Sequence, residues 1–259
     1  MPSSSLPSNV HVSTHPCLRA KLSQLRSKAA SCRETNALVN DIALILGCEA
    51  LASCLKNTSS GTVSLSLCPN PMSYPQALLI HKTNFPVSQA ETPLNYTYTT
   101  ETTSPNVALV PILRSGLGMI EALQTLLPDP VPVHHLGLFR EPTTLQPVEY
   151  YNNLPYRRPT SMNPDPFPIP ETAILLDPVI ATGGTSSAAI QTLLEWGVKK
   201  VVLISVLGSE EGVKRAAEEN GSDKVELWIG GLDEKMNEKG MIVPGLGDVG
   251  DRLFLTIGK

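Results

Sequence analysis

The apolar run Ala173-Ile174-Leu175-Leu176 ends at an acid, and Asp177-Pro178-Val179-Ile180-Ala181-Thr182-Gly183-Gly184-Thr185 follows before a helical pattern begins. Backbone N–H groups of Ala181 to Thr185 at a helix N-terminus form a concavity in which a phosphate gains both hydrogen bonds and the helix dipole. The nucleoside-triphosphate loop is excluded, because no Gly-x-x-x-x-Gly-Lys-Ser/Thr occurs and the turn holds no Lys. An acid beside a phosphate needs a reason, since two anions repel at low dielectric. Sugar hydroxyls supply one: Asp177 accepts from a ribose while the turn holds its 5-phosphate. The competing reading makes Asp177 a helix cap and the glycines turn formers.

Two further segments carry chemistry. Ile112-Leu113-Arg114-Ser115-Gly116-Leu117-Gly118-Met119 sets a permanent cation at the end of an apolar strand, where its fork of donors suits a diphosphate. Arg140 is a second such cation; the alternative for either is a surface charge. Gly245-Leu246-Gly247-Asp248-Val249-Gly250 matches the dinucleotide pattern in form, but that fingerprint requires a following helix and second strand, and the chain given stops at Lys259. A glycine-rich loop exposes its own backbone to something close. The edge of uracil presents acceptor, donor and acceptor, which peptide groups complement, whereas the amine of cytosine would leave polar groups unpaired. A simple tight turn is the other reading.

These segments need a scaffold. Leu18, Leu22, Leu25 and Ala29 recur at helical spacing, and 33–56 is a second helical stretch, so two N-terminal helices are expected. Residues 62–67 alternate as a strand does, and 69–103 is irregular and rich in turn formers, a decoration of the core. From Asn106 apolar strands alternate with helices: 107–112, 118–127, 131–138, 173–176, 186–196, 200–207, 210–220 and 225–229. Nearly continuous apolar strands separated by helices mark an α/β fold, a doubly wound, mainly parallel sheet with helices on both faces. Ligands then bind beyond the carboxyl ends of the strands, in the loops after Ile112, Leu176 and Leu207. Eleven prolines from Pro128 to Pro170 forbid a continuous helix there; 139–155 reads as a flap and 156–170 as a surface insertion.

Composition narrows the class. The chain has 259 residues, 41% hydrophobic and 17% charged, with net charge −4, so its bulk is globular and the total favours neither a nucleic-acid nor a membrane partner. No apolar run approaches the ~18 residues of a membrane span. Residues 1–16, rich in Ser and Pro without a basic or apolar region, read as a disordered tail rather than a secretory signal, and 17–259 as a single domain. Cys17, Cys32, Cys48, Cys54 and Cys68 lack Cys-x-x-Cys spacing, which points to reduced thiols in a cytoplasmic protein. His11, His15, His81, His134 and His135 show no metal spacing, so no metal ligand is assigned; of His134 and His135, one is expected buried and one exposed.

Taken together, the segments resemble uracil phosphoribosyltransferase. His15-Pro16, Lys21-Leu22 and Leu25-Arg26 resemble the family's N-terminal helix, 111–119 its arginine motif, 137–155 its flexible hairpin, 177–185 its phosphoribosyl-diphosphate loop and 243–254 its uracil loop. Ser115, Phe139 and Thr185 depart mildly from the family's usual Ala, Tyr and Ser, while the second N-terminal helix and 156–170 depart more. The resemblance implies a phosphoribosyltransferase-like sheet with N-terminal helices and a C-terminal hood. Arg114 and Arg140 would bind the diphosphate of 5-phospho-α-D-ribose 1-diphosphate, and Asp177, Pro178, Val179, Ile180, Ala181, Thr182, Gly183, Gly184 and Thr185 its ribose and 5-phosphate. Ile242, Gly247, Asp248 and Val249 would hold uracil, with Asp248 also on the sugar side and the candidate to assist loss of the N1 proton. Arg114 and Asp248 are thus the catalytic candidates. Mg²⁺ with the donor, a homo-oligomer (dimer or tetramer) and GTP as activator come with the family. A different class, a non-catalytic regulator sensing nucleotides or RNA on the same fold, is disfavoured by retention of both loops and by the absence of a basic excess.

Overall fold

The computed structural model describes residues 6–58, 61–62, 86–87, 90–99, 101–104, 106–141, 146–155 and 169–256. The chain forms two units, residues 1–54 with 105–259, and residues 55–104. In chain order the larger unit contains β1 (Val10–Val12), α1 (Pro16–Leu25), α2 (Cys32–Cys54), β2 (Val107–Leu113), α3 (Ile120–Leu126), β3 (Leu136–Arg140), β4 (Pro147–Asn152), β5 (Thr172–Leu176), α4 (Gly184–Trp196), β6 (Lys200–Ser205), α5 (Glu210–Glu218), β7 (Val225–Ile229) and α6 (Val249–Phe254).

Seven strands form one sheet in the order β1-β7-β6-β5-β2-β3-β4. All neighbours are parallel except β3 and β4, which make an antiparallel hairpin. Every residue of β5 is buried, which explains its unbroken apolar run. Ala173 and Leu175 lie in one core cluster with Ala189, Ile190 and Leu193 of α4 and Val213, Ala216 and Ala217 of α5. The other face is covered by α2, which also packs on α1 and α3. Local chemistry starts the helices: Pro16 occupies the first turn of α1, and Ser31 and Glu34 bond reciprocally ahead of α2 as a capping box.

Several expectations need correction. Residues 9–16 are not a disordered tail: β1 pairs with β7, His11 stacks on Trp228 with ring centroids 4.4 Å apart, and buried Asn9 donates to the Ala217 and Val225 carbonyls. Three residues are too few for periodicity to reveal a strand; residues 1–5 lie outside the described residues. The single domain 17–259 gives way to two units, because the turn-rich 55–104 segment forms its own short strand pairs, such as Lys56–Thr58 with Thr102–Ser104 and Ala90–Glu91 with Thr97–Tyr98. Most of the expected 62–67 strand, and residues 156–168 of the Pro-rich insertion, lie outside the described residues. The 131–138 strand begins later, at Leu136, and His134 and His135 are both half-buried because they precede regular alternation.

The statement that no segment is apolar enough for a bilayer also changes. An 18-residue stretch within the 23-residue α2 reaches a mean hydropathy of 1.6, enough by length and composition to cross one, because Ala, Leu and Ile dilute its few charges; the core helix of a soluble protein passes the same test. In the structure Val39, Ile42, Ala43, Leu46, Ala50 and Leu51 of this helix are buried in the core.

Candidate functional site

From β2 the chain proceeds to β3 on one side of the sheet, and from β5 to β6 and β7 on the other, so the loops after β2 and β5 open side by side at the topological switch point. They touch. A Cβ placed on Gly116 would lie 2.4 Å from the Leu176 carbonyl oxygen, so the turn after Arg114 packs its bare backbone on the residue preceding Asp177. Both are elements that sequence spacing singled out.

Asp177 is buried, 6% exposed, and its Oδ2 accepts from Ser186 Oγ at 2.9 Å. It does not cap α4: that position belongs to Gly183, with φ 77° and no side-chain cap. The loop is built from outside. Val206 and Leu207 N–H groups donate to the Pro178 carbonyl, and Val179–Ile180 pairs with Leu207–Gly208. Ser209, the cap of α5, donates to the Ala181 carbonyl. Gly183 and Gly184 are buried, Thr182 and Thr185 half-buried. Arg215 stands beside the loop, Nη1 3.5 Å from where a Gly184 Cβ would lie, and its bond to Glu219 holds that carboxyl below its usual range.

The hood consists of the antiparallel pair Lys235–Met236 and Ile242–Val243, a glycine-rich loop and α6. Ile242 and Val249 are buried, 7% and 4% exposed. Gly247 and Asp248 are exposed, and among the described residues no heavy atom beyond its chain neighbours lies within 4 Å of a Gly247 Cβ. Asp248 caps α6 by accepting from Asp251 N at 3.0 Å. This helix leans on the arginine motif: Leu253 packs against Gly118, Arg114 Nη1 donates to Thr256 Oγ1 at 3.1 Å, and Arg114 Nη2 lies 3.6 Å from Asp251 Oδ1. Arg114, with half its side chain exposed, is thus gathered with Asp177 and the hood. Arg140 ends β3 opposite Pro147 on β4; its side chain lies outside the described residues.

Sequence spacing missed the groups that hold the hood. Arg26 at the end of α1 pairs with Asp233, and both bond Gly245; Arg252 donates to the Leu25, Leu246 and Ser27 carbonyls. Burial draws the Arg252 pKa down. The signal for Arg26 is slight, a cation where helical periodicity stops; its partner Gly245 is 219 residues away. A cavity of about 490 Å³ flanks this cluster, lined by Ser13, Arg19, Leu22, Ser23, Arg26 and Gly231 among others; none of the residues singled out for the donor or base borders it.

Residues 76–256 match the family model described as uracil phosphoribosyltransferase. The uracil phosphoribosyltransferase of Finegoldia magna is 36% identical over 249 residues, 96% of this chain and 99% of its own. That of Bacillus cytotoxicus is 35% identical over 247 residues, 95% and 98% of the two chains. A solved structure of a protein from Aquifex aeolicus, 26% identical, superposes with a TM-score of 0.70 over 95% of this chain and 97% of that one.

Proposed function

Since the chain belongs to the uracil phosphoribosyltransferase family, we propose that it transfers the phosphoribosyl group of 5-phospho-α-D-ribose 1-diphosphate to uracil N1, yielding uridine monophosphate and diphosphate in pyrimidine salvage. The carrying observation is the contact of the Arg114 turn with the Asp177 strand end at the switch point, beneath a loop that opens Gly247 and Asp248 to space.

The roles follow from the chemistry of each group. The backbone of 181–185 at the uncapped start of α4 receives the 5-phosphate, and Asp177 accepts from the ribose hydroxyls with Ser186 holding it in place. Arg114 and Arg140 receive the diphosphate; Arg114 exchanges its weak 3.6 Å pairing with Asp251 for that more highly charged partner. As the bond from the anomeric carbon to the diphosphate oxygen breaks and the bond to N1 forms, negative charge grows on the leaving group, and preorganised cations there stabilise the transition state most. Gly247, Asp248 and the backbone of Ile242 and Val249 bind uracil, and Asp248 assists loss of the N1 proton. Closure of the hairpin, about 137–155, excludes water from the activated sugar.

Mg²⁺ fits this donor set: it favours oxygen, keeps waters and is commonly held by substrate phosphates with one or two carboxylates, and Asp177 is the buried carboxylate at the loop. When bound it neutralises diphosphate charge. We assign the enzyme to the cytoplasm, as a homo-oligomer responsive to GTP; light scattering and turnover with and without GTP test the last two.

The test of the activity is uridine monophosphate formation from uracil, donor and Mg²⁺, beside orotate and hypoxanthine. Turnover with uracil alone, lost in Arg114→Ala and reduced in Asp248→Asn, is the expected result. Donor binding without any turnover would sink the proposal in favour of a sensor.

A further inference from the structure

Arg26 and Asp233, 207 residues apart, share a two-pronged bond: Asp233 Oδ1 accepts from Arg26 Nη2 at 2.7 Å and Oδ2 from Nη1 at 2.8 Å. The same two groups hold both polar atoms of one backbone residue. Gly245 N donates to Asp233 Oδ2 at 3.0 Å, and Gly245 O accepts from Arg26 Nη1 at 2.9 Å. The planar guanidinium can serve carboxylate and carbonyl at once, a geometry a Lys ammonium does not fix. Gly245 cannot be replaced, since its φ is 64° and a Cβ would lie 2.1 Å from the Ile242 carbonyl oxygen.

A second cation continues the arrangement. Arg252 Nη1 donates to Leu246 O at 2.8 Å and to Leu25 O at 2.7 Å. The carbonyls of two consecutive residues, 245 and 246, are therefore tied to guanidinium groups, that of Arg26 at the end of α1 and that of Arg252 in α6, and the next residue, Gly247, is exposed. The Arg26 and Asp233 side chains are only 25% and 7% exposed. A desolvated ion pair is a weak source of stability, and its better attested use is to select one arrangement among several. The loop it holds contains Gly245 and Gly247, both at left-handed φ, whose backbone freedom makes such selection necessary.

We infer that Arg26 and Asp233 are positioning residues for base recognition: they fix the Gly245 peptide so that Gly247 and Asp248 meet the base in one register, without touching it. The inference rests on the assignment of this loop to uracil. A loosened clamp makes the base order the loop on binding, so affinity for uracil falls, while the 5-phosphate and ribose end of the donor site, built on β5 and α4, is untouched. Loss of folded protein acts differently, lowering the apparent kcat for every substrate and leaving KM values alone.

The test uses full-length Arg26→Lys, which keeps the charge and loses the fork, and Asp233→Asn. Initial rates are measured against each substrate, together with amide hydrogen exchange of peptides covering 241–249 and 184–196. The expected result is a rise of about tenfold in KM for uracil, a donor KM within about twofold of wild type, and faster exchange confined to 241–249. If Asp233→Asn does not fold, Arg26→Lys carries the comparison. Unchanged exchange with normal uridine monophosphate formation, or equal rises in both KM values, overturns the positioning role alone. A wild-type enzyme that makes no uridine monophosphate overturns the activity and the role in base recognition with it.

Discussion

Gly183 and Gly212 meet backbone to backbone: a Cβ on Gly183 would lie 2.3 Å from the Gly212 carbonyl oxygen, and one on Gly212 would lie 2.0 Å from that of Ala181. The start of α5 is the floor on which the 181–185 loop rests, and neither side can yield, because both obstacles are main chain. Gly183 has in addition a left-handed φ of 77°.

Gly212→Ala is therefore expected to displace the loop rather than simply to destabilise the protein. We expect a loss of about 1–3 kcal/mol in stability and a rise of at least about tenfold in KM for the phosphoribosyl donor, with a smaller change for uracil. Thermal melts and initial rates with each substrate varied check this. A donor KM equal to wild type would mean that the loop does not hold the phosphate.

The buried bond from Ser186 to Asp177 separates support from binding. Ser186→Ala leaves a buried carboxylate short of a donor, a cost of about 1–3 kcal/mol, so the melting temperature falls and the donor KM rises modestly. Asp177→Asn keeps the shape and removes the charge, and is expected to raise the donor KM far more than it lowers the melting temperature. The reverse ranking, read from the same two measurements, would make Asp177 a structural residue.

His134 makes stability depend on pH. Burial first, then the neighbouring charge of His135, pushes its pKa below the ordinary value, against a raising hydrogen bond with Asn153. The folded state thus binds fewer protons than the unfolded chain, so its stability is complete above the unfolded pKa of about 6.5 and declines as pH falls through it. The ring stands edge-on to Trp196, centroids 5.2 Å apart. In melts from pH 8 to pH 5, His134→Gln should lose less stability than wild type; identical slopes would contradict the assignment.

The cysteines should react in order of environment. Cys17 and Cys48 are exposed, whereas burial raises the pKa of the Cys54 thiol despite the opposing charge of Lys200. Timed iodoacetamide labelling at pH 8, followed by peptide mass spectrometry, should find Cys17 and Cys48 modified before Cys54. Early labelling of Cys54 would place it in a more open and less apolar setting than this.

Much of this protein was legible in its sequence because the signals were local. The run Thr172 to Leu176 reads as a buried strand, and the Asp177 to Thr185 turn announces a helix start with free N–H groups, since strand burial and turn chemistry are decided within a few residues. The alternation from Asn106 onward predicted the parallel sheet for the same reason, and with it the end at which the loops after β2 and β5 would open. Tertiary structure alone decided the rest. That Val10–Val12 is a strand depends on β7, that Gly116 rests on Leu176 depends on strand order, and that Arg26 and Asp233 close on Gly245 depends on bringing together groups about 200 residues apart. Such contacts leave no periodicity behind, because their geometry exists only when the sheet has set the distance between its loops.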